Sequence, residues 1–124
     1  MACACDFRFM KSDRGFFCFP EIDISIPFLP GMLAIVQKAV PYYKMEDLVF
    51  SGKKAAAAEL EAHHVIVKAC PDQESLLQEA TAFARTFTKK RPIFGEMKKR
   101  LHGRIIEIME KEDPAFIEPL NLML

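Results

Sequence analysis

Two short apolar and aromatic runs, Phe7–Met10 and Phe16–Phe19, lie on either side of the polar segment Lys11–Gly15 near the start of the chain. Aromatic residues around a glycine-bearing turn favour β-strands. Pro20 follows the second run directly and ends it. The pattern therefore predicts a pair of strands at the start of the chain.

The middle of the chain combines helical and strand patterns. Gly31–Val40 is apolar on nearly every side, which predicts a buried helix with Pro30 in its first turn. A shorter helix is predicted for Met45–Phe50. Good helix formers occupy Lys54–Ala62, and the β-branched run Val65–Val67 predicts a short buried strand.

Two amphipathic helices are predicted after this strand. Asp72 is placed to cap the first of them, and apolar residues recur behind it at helical spacing. The second helix is predicted to begin near Pro92 and to be closed by Pro114. The apolar tail Phe116–Leu124 is expected to pack against another surface.

These elements predict an α/β chain with two or three short strands followed by mostly α-helices. An N-terminal strand pair with apolar helices is an unusual complete domain, because independent stability usually needs three strands or good helical cover. We expect residues 1–70 to form a core of short strands and a buried helix. We expect residues 71–124 to form a helical part, for which a family resemblance described below implies an oligomerisation role.

The composition narrows the class of protein. Of the 124 residues, 51% are hydrophobic, and 17 basic side chains balance 17 acidic ones. This apolar fraction is sufficient for one domain with a core and excludes a disordered charged tail. Zero net charge argues against a dedicated nucleic-acid binder, and no apolar run approaches the ~18 residues that span a bilayer. The chain does not start with a secretory signal, so an intracellular setting is expected.

Cysteine and histidine raise the question of a metal site. The cysteine spacing contains no C-x-x-C pair, and no further Cys or His pair follows at zinc-finger distance. We therefore expect buried thiols. The adjacent His63 and His64 would point about 100° apart on a helix, so surface histidines are favoured over a metal site. The four cysteines are Cys3, Cys5, Cys18 and Cys70.

One carboxylate has unusual neighbours. Glu21 lies between the aromatic run that ends at Phe19 and the apolar Ile22. A carboxylate in such surroundings loses hydration and becomes a better proton acceptor. In an extended segment Asp23 would share a face with Glu21, giving a possible acid/base pair. In the alternative interpretation Glu21 caps the next element and Asp23 is solvated.

Several segments resemble, in order and spacing, the enoyl-CoA hydratase/isomerase (crotonase) superfamily. The most specific are Cys5–Met10 and Gly15–Ile24, which together contain the pattern C-D-x-R … P-E-x-D-I. Leu48–Gly52 is similar to the family's helix end L-x-x-[ST]-G, and Ala58–Val67 to its alanine-rich helix and following strand. Leu76–Lys99 is similar to the two helices that come next. The likeness covers nearly the whole chain and is closest to the monofunctional Δ3,Δ2-enoyl-CoA isomerases.

The resemblance implies the C-terminal half of a crotonase-like ββα spiral fold, in which residues 1–70 are a truncated core. It also implies that Glu21 removes a proton from C2 of a 3-enoyl-CoA and returns it at C4, giving the trans-2-enoyl-CoA of fatty acid β-oxidation. The charge of the dienolate intermediate needs preorganised N–H donors. The resemblance implies no metal and no redox cofactor. The implied substrate-binding residues are Phe17, Phe19, Ile22, Phe28 and Lys99.

The sequence departs from the family in its extent. In relatives the N–H donors of the oxyanion hole come from a small-residue loop and a Gly-Gly helix start in the first half of the chain. This sequence begins where that helix ends, so a truncated or fragmentary member is expected, with weaker catalysis. The second glutamate that hydratases use would precede Met1, and the segment around Glu21 favours an isomerase over a hydratase fragment. Val65 stands where relatives usually have glycine.

A basic run around Lys99 has three interpretations. A solvated helix face is the commonest outcome for such a run. Binding of the CoA phosphates is the second, because basic side chains pair well with phosphate. Nucleic acid is the third. The run consists of Lys89, Lys90, Arg91, Lys98, Lys99, Arg100 and Arg104.

Three functions stay open on the sequence. The first is an acyl-CoA isomerase whose partner is an acyl-CoA thioester and which forms a trimer-type homo-oligomer. The second is a non-catalytic helical module that docks on full-length subunits of the family. The third is a general α-helical adaptor in which Glu21 is freely replaceable. The resemblance favours the peroxisome and allows the mitochondrion or cytoplasm, although the C-terminus lacks the Ser-Lys-Leu signal.

Overall fold

The fold is α/β, as the sequence predicts: it has short strands, and helices make up most of the rest. The fold is taken from a computed structural model that describes residues 1–119. The α-helices are α1 (Pro30–Ala39), α2 (Tyr42–Ser51), α3 (Ala57–Ala62), α4 (Gln73–Arg85), α5 (Arg91–Lys111) and α6 (Pro114–Ile117). The strands are β1 (Phe9–Lys11) and β2 (Lys68–Cys70), and short 3-10 helices cover Ala2–Ala4 and Pro20–Ile22.

The two strands pair in parallel, with Phe9 opposite Lys68 in the register. The prediction that the two N-terminal runs pair with each other is therefore wrong. Within the second run, Phe17 makes only an isolated antiparallel bridge, to Ala55. A parallel pair needs a long crossover connection, and α1, α2 and α3 supply it here.

The β-branched run after α3 is not part of the strand, and only its first two residues are buried. Val65 and Ile66 are 1% and 8% exposed, whereas Val67 is 37% exposed. The amides of Val65 and Ile66 both donate to the carbonyl of Leu60, at 2.8 and 3.3 Å, and the amide of Val67 donates to the carbonyl of Arg8 at 2.8 Å. Val65 and Ile66 therefore close the end of α3, and the strand begins only at Lys68, after the predicted Val65–Val67.

Five of the six described helices correspond to predicted ones, and α6 lies in the segment predicted to follow the last helix. α2 begins at Tyr42, before the predicted Met45, and ends at Ser51, with Gly52 (φ +62°) as its left-handed cap. α3 begins at Ala57 and not at Lys54, because Ala55 is engaged in the bridge to Phe17. The predicted start of α5 near Pro92 is confirmed.

The cap predicted for α4 is also present. The amide of Ser75 donates to Asp72 Oδ1 at 2.8 Å, and this bond lowers the pKa of the Asp72 carboxyl. The predicted apolar tail from Phe116 onward extends into residues 120–124, which lie outside the described part of the chain. In its described part the side chains of Phe116 and Ile117 are 43% and 45% exposed.

The core lies between α1, α2, α3 and the segment before β2. The largest fully buried side chains of the core are Leu48, Leu60, Val65 and Cys70. α5 packs along α1, and α4 packs against the two strands. Neither α4 nor α5 contributes a fully buried residue, so this C-terminal helical part covers the core from outside.

The prediction of buried cysteines is correct for two of the four. Cys3 and Cys70 are buried, and loss of hydration raises the pKa of both thiols. The prediction is wrong for Cys5, which is exposed, and for Cys18, which is half-buried. Cys5 is turned outward because it lies just past the 3-10 helix Ala2–Ala4, which buries only Cys3.

Neither a metal cluster nor a membrane-spanning helix is present in the described part of the chain. Residues 1–119 contain no group of three or more His, Cys, Asp or Glu side chains placed to hold a metal ion. Among the same residues, no helix combines the length and apolar character needed to cross a membrane.

Candidate active site

Glu21 is the middle residue of a 3-10 helix that begins at Pro20. The amides of Asp23 and Ile24 donate to the Pro20 carbonyl at 3.0 and 3.2 Å, and the amide of Ile26 donates to the Glu21 carbonyl at 3.1 Å. Proline at the first position favours such a turn because its φ is preset. The segment is therefore a compact turn with its backbone bonds satisfied internally.

Glu21 is one of five residues that line a small cavity of about 270 Å³. Its Oε2 atom is fully buried and has no hydrogen-bond partner among the residues that the structure describes. A buried polar atom without a partner is costly, and such atoms in native proteins often mark functional sites. The other residues of the cavity wall are Ile22, Ser25, Ile26 and Pro27.

Asp23 does not join Glu21 in this cavity. The predicted acid/base pair assumed an extended segment, and this premise is wrong because residues 20–22 form a 3-10 helix. Asp23 lies instead against Gly52, where an added Cβ would come within 2.7 Å of Asp23 Oδ2. The structure therefore leaves Glu21 as the single carboxylate bordering the cavity.

The aromatic residues predicted to bind substrate form a row behind the turn. The ring centroids of Phe17 and Phe19 are 5.0 Å apart, and those of Phe19 and Phe28 are 5.5 Å apart, both with edge-to-face geometry. Phe19 is 7% exposed, so it is part of the core. Of the four predicted apolar site residues, only Ile22 lines the Glu21 cavity. Phe17 borders another cavity, of about 330 Å³, beside β1.

Lys99 lies on α5 and borders a different cavity from Glu21. This cavity, of about 410 Å³, lies between α1 and α5 and is also lined by Lys38, Lys98 and His102. Not all of the predicted basic run is free, because Lys98 pairs with Asp6 and Arg100 Nε contacts Glu96 at 2.9 Å. The structure thus brings Lys99 together with other cations and does not bring it to Glu21.

Asp6 is a charged residue whose role the sequence reasoning missed. Asp6 forms ion pairs with Lys38, at 3.0 Å, and with Lys98. His102 Nε2 lies 4.0 Å from Asp6 Oδ1. The hydrogen bond from Lys98 is the largest cause of the lowered pKa of the Asp6 carboxyl. Asp6 borders an adjoining apolar cavity of about 790 Å³. The signal for it was available, since Asp6 belongs to the C-D-x-R pattern.

A ring of four charges joins the end of α2 to α3. Lys44, only 4% exposed, contacts Asp47 at 2.6 Å and Glu59 at 2.5 Å. Lys53 contacts the same two carboxylates at 2.7 and 2.8 Å. Hydrogen bonds from Lys44 and Lys53 lower the pKa of Asp47 to about 2. The ring fixes the segment between the two helices, next to the Glu21 turn.

Comparison with known proteins gives a family match over most of the chain. Residues 1–114 match the family model described as enoyl-CoA hydratase/isomerase. The mitochondrial Delta(3,5)-Delta(2,4)-dienoyl-CoA isomerase of Homo sapiens is 26% identical over 95% of this chain, and that of Rattus norvegicus is 26% identical over 97%. The chain spans 34% and 35% of the length of these relatives. No solved structure matches the chain.

Proposed function

Because the chain belongs to the enoyl-CoA hydratase/isomerase family, we propose that it acts on acyl-CoA thioesters as an enoyl-CoA isomerase, with Glu21 as its proton carrier. The reaction moves the double bond of a 3-enoyl-CoA to the trans-2 position. The observation that carries this proposal is the buried, unpartnered Oε2 of Glu21 at an apolar cavity. The substrate class follows from the family, and the candidate base is Glu21, which lines the cavity.

The reaction requires one proton to leave one carbon and reach another. The Glu21 carboxylate takes a proton from C2. The electron pair of that C–H bond spreads over C2, C4 and the thioester oxygen, giving a dienolate. The protonated carboxyl then gives the proton to C4, and the remaining double bond lies between C2 and C3. A single carboxyl group serves both steps, which agrees with Asp23 lying outside the cavity.

The surroundings of Glu21 suit this role. Ile22, Ile26 and Pro27 give the cavity wall an apolar character. The same wall would contact the acyl chain next to the double bond. We propose Ile22 as the nearest substrate contact, with Phe17, Phe19 and Phe28 as the apolar surface behind it.

Lys99 is the proposed contact for the CoA phosphates. It borders the cavity between α1 and α5 together with Lys38 and Lys98. Lys38 and Lys98 are paired with Asp6, which lines the same cavity, so Lys99 is the proposed phosphate contact itself. Charge-assisted hydrogen bonds to phosphate are stronger than neutral ones. No metal and no redox cofactor has a part in this proposal.

The curated relatives favour a second candidate activity on the same site. They are named dienoyl-CoA isomerases, so a 3,5-dienoyl-CoA is the alternative substrate to a 3-enoyl-CoA. The two activities are distinguished by the ultraviolet spectrum of the product, because only the dienoyl product has two conjugated double bonds next to the thioester. The relatives are also named as mitochondrial, and we propose the mitochondrion as the compartment in preference to the peroxisome.

A docking role is the second candidate function, and one surface favours it. Ile93, Met97 and Leu101 are spaced four apart on α5 and are 57%, 61% and 75% exposed. This apolar stripe has the form of a helix face that packs on another protein. The proposed occupant is a longer subunit of the same family, since this chain covers about a third of its relatives' length.

The deciding experiment is an isomerase assay of the purified chain with 3-enoyl-CoA and 3,5-dienoyl-CoA, in parallel with Glu21→Gln. Glutamine keeps the size of the side chain and removes the proton acceptor, so turnover is expected to fall by at least about 10²-fold. Glu46→Gln is the matched control, because Glu46 is an exposed residue of α2. Equal turnover in Glu21→Gln and the parent chain would reject Glu21 as the proton carrier.

Absence of turnover in the parent chain would favour the docking role. The chain would then be mixed with a longer subunit of the family and analysed by size-exclusion chromatography. Co-elution that is lost when Met97 and Leu101 are both changed to serine would support docking. Separate elution of the two proteins would reject it.

A further inference from the structure

The segment 52–55, which follows α2, contacts the two ends of the stretch that carries Glu21. At one end, Phe17 and Ala55 exchange backbone hydrogen bonds of 2.9 and 2.8 Å. At the other end, an added Cβ at Gly52 would come within 2.7 Å of Asp23 Oδ2 and 3.2 Å of Ile22 Cγ2. Glu21 therefore lies between two contact points made by the same short segment.

The segment 52–55 is itself held by the helices. Lys53 closes the charge ring with Asp47 of α2 and Glu59 of α3, at 2.7 and 2.8 Å. Gly52 is the left-handed cap of α2, and Ala55 is fully buried at 0% exposure. The position of this segment is thus set by α2, α3 and the core, independently of the turn that carries Glu21.

We propose that the segment 52–55 fixes the position of the Glu21 carboxylate, and that Gly52 is the positioning residue. This inference rests on the proposed function of Glu21. Glycine meets two requirements here, since its backbone has φ +62° and since Asp23 occupies the space of a Cβ. Proton transfer is sensitive to such placement, because a displacement of about 1 Å costs about 10²-fold in rate.

Gly52→Asn separates the two requirements. Asparagine tolerates left-handed backbone, so the cap of α2 is kept while the new Cβ meets Asp23. The new Cβ would lie 2.7 Å from Asp23 Oδ2 and 3.2 Å from Ile22 Cγ2, so the Asp23 side chain must move and Ile22, the neighbour of Glu21, must give way. We expect kcat for the isomerisation to fall by about 10- to 100-fold, because this displaces the Glu21 carboxylate.

The role of the contact is isolated by a double-mutant cycle. Asp23→Ala removes Oδ2 and Cγ, which the new Cβ would meet at 2.7 and 3.2 Å, and leaves only the contact of 3.2 Å with Ile22 Cγ2, so Gly52→Asn is expected to lower kcat much less in that background. Gly95→Ala is the control, because nothing lies within 4 Å of an added Cβ there. A loss of kcat of equal size in both backgrounds would overturn the inference, and so would an unchanged kcat in Gly52→Asn.

A readout without turnover keeps this inference separate from the proposed function. In the chain labelled with ¹³C-glutamate, the Cδ resonance of Glu21 reports the surroundings of its carboxyl group. Gly52→Asn is expected to move this resonance in the parent chain and to move it much less in the Asp23→Ala background. A parent chain without turnover would defeat the proposed function alone. A Cδ resonance that Gly52→Asn leaves unmoved in the parent chain would defeat the positioning role.

Discussion

The backbone amide of Gly31 donates a hydrogen bond of 2.8 Å to Asp113 Oδ1. Gly31 is in the first turn of α1, whose N-cap residue Leu29 offers no side-chain acceptor. Asp113 follows the end of α5 and is only 6% exposed. A residue far along the sequence therefore caps α1, and this bond joins the central helix to the C-terminal helical part.

Asp113→Ala is expected to destabilise the chain by about 1–3 kcal/mol, because it leaves the buried Gly31 amide without an acceptor. Chemical unfolding in urea measures the change. Asp113→Asn is the matched control, since its side-chain oxygen still accepts the bond, and it is expected to cost less. Equal stability of Asp113→Ala and the parent chain would show that the cap contributes nothing.

Leu60→Ala is expected to cost about 2–5 kcal/mol, because it leaves a cavity at the centre of the core. The side chain of Leu60 is 1% exposed. Leu101→Ala removes the same atoms from a residue that is 75% exposed, and its effect on the free energy of unfolding is expected to be within about 0.5 kcal/mol. Similar losses in the two variants would mean that Leu101 is covered in solution.

Asp6 gives a pH dependence of stability with a defined sign. Lys98 and Lys38 hold the pKa of its carboxyl below the ordinary value of 3.8, so the unfolded chain binds the proton more readily than the folded chain. The contribution of Asp6 is therefore fully present well above pH 3.8 and is lost as the pH falls through the lowered pKa. We expect Asp6→Asn to cost about 1 kcal/mol near neutral pH, with the difference from the parent chain closing in acid.

Urea unfolding of the parent chain and Asp6→Asn across this pH range measures the effect. The groups that face Asp6 are Lys38 from α1 and Lys98 and His102 from α5, so no other carboxylate of the described residues pairs with the same partners there. Glu46→Gln controls for the loss of one acidic charge. A constant difference between Asp6→Asn and the parent at every pH would show that the ion pairs do not act through ionisation.

Local signals in the sequence were sufficient for most of the helices. Pro30, Gly52 and Asp72 mark helix ends by their backbone geometry or capping chemistry, and the structure uses all three in that way. These signals act within one turn, so they need no knowledge of the rest of the fold. The starts of α2 and α3 were less well placed, because pairing of Ala55 with Phe17 decides one of them.

Long-range pairing could not be read from the same signals. The aromatic run Phe16–Phe19 has the composition of a strand, yet Phe9 pairs with Lys68 and not with it. Strand composition indicates that a segment suits a pleated surface, but it does not indicate which strand the segment pairs with. Val65–Val67 shows the same limit, because burial was predicted correctly for Val65 and Ile66 but not for Val67, and the backbone of the first two closes α3 instead of forming a strand.

The candidate site was predictable in its central residue and not in its surroundings. Glu21 stands out because its neighbours in sequence are apolar, and Ile22 borders the same cavity. The approach of Gly52 to Asp23 joins two distant segments, and no spacing along the chain reports it. Asp6 is a comparable case, since its partners on α1 and α5 come together only through packing.

The parallel pairing of β1 with β2 has a consequence for synthesis on the ribosome. Lys11 lies opposite Cys70, so the pairing of β1 with β2 cannot form until the whole crossover between them has been translated and has left the exit tunnel. Nascent chains grow at about 5–20 residues per second, so this pairing forms several seconds after β1 is made. Slow codons between the two strands would lengthen that delay and increase the demand for chaperones.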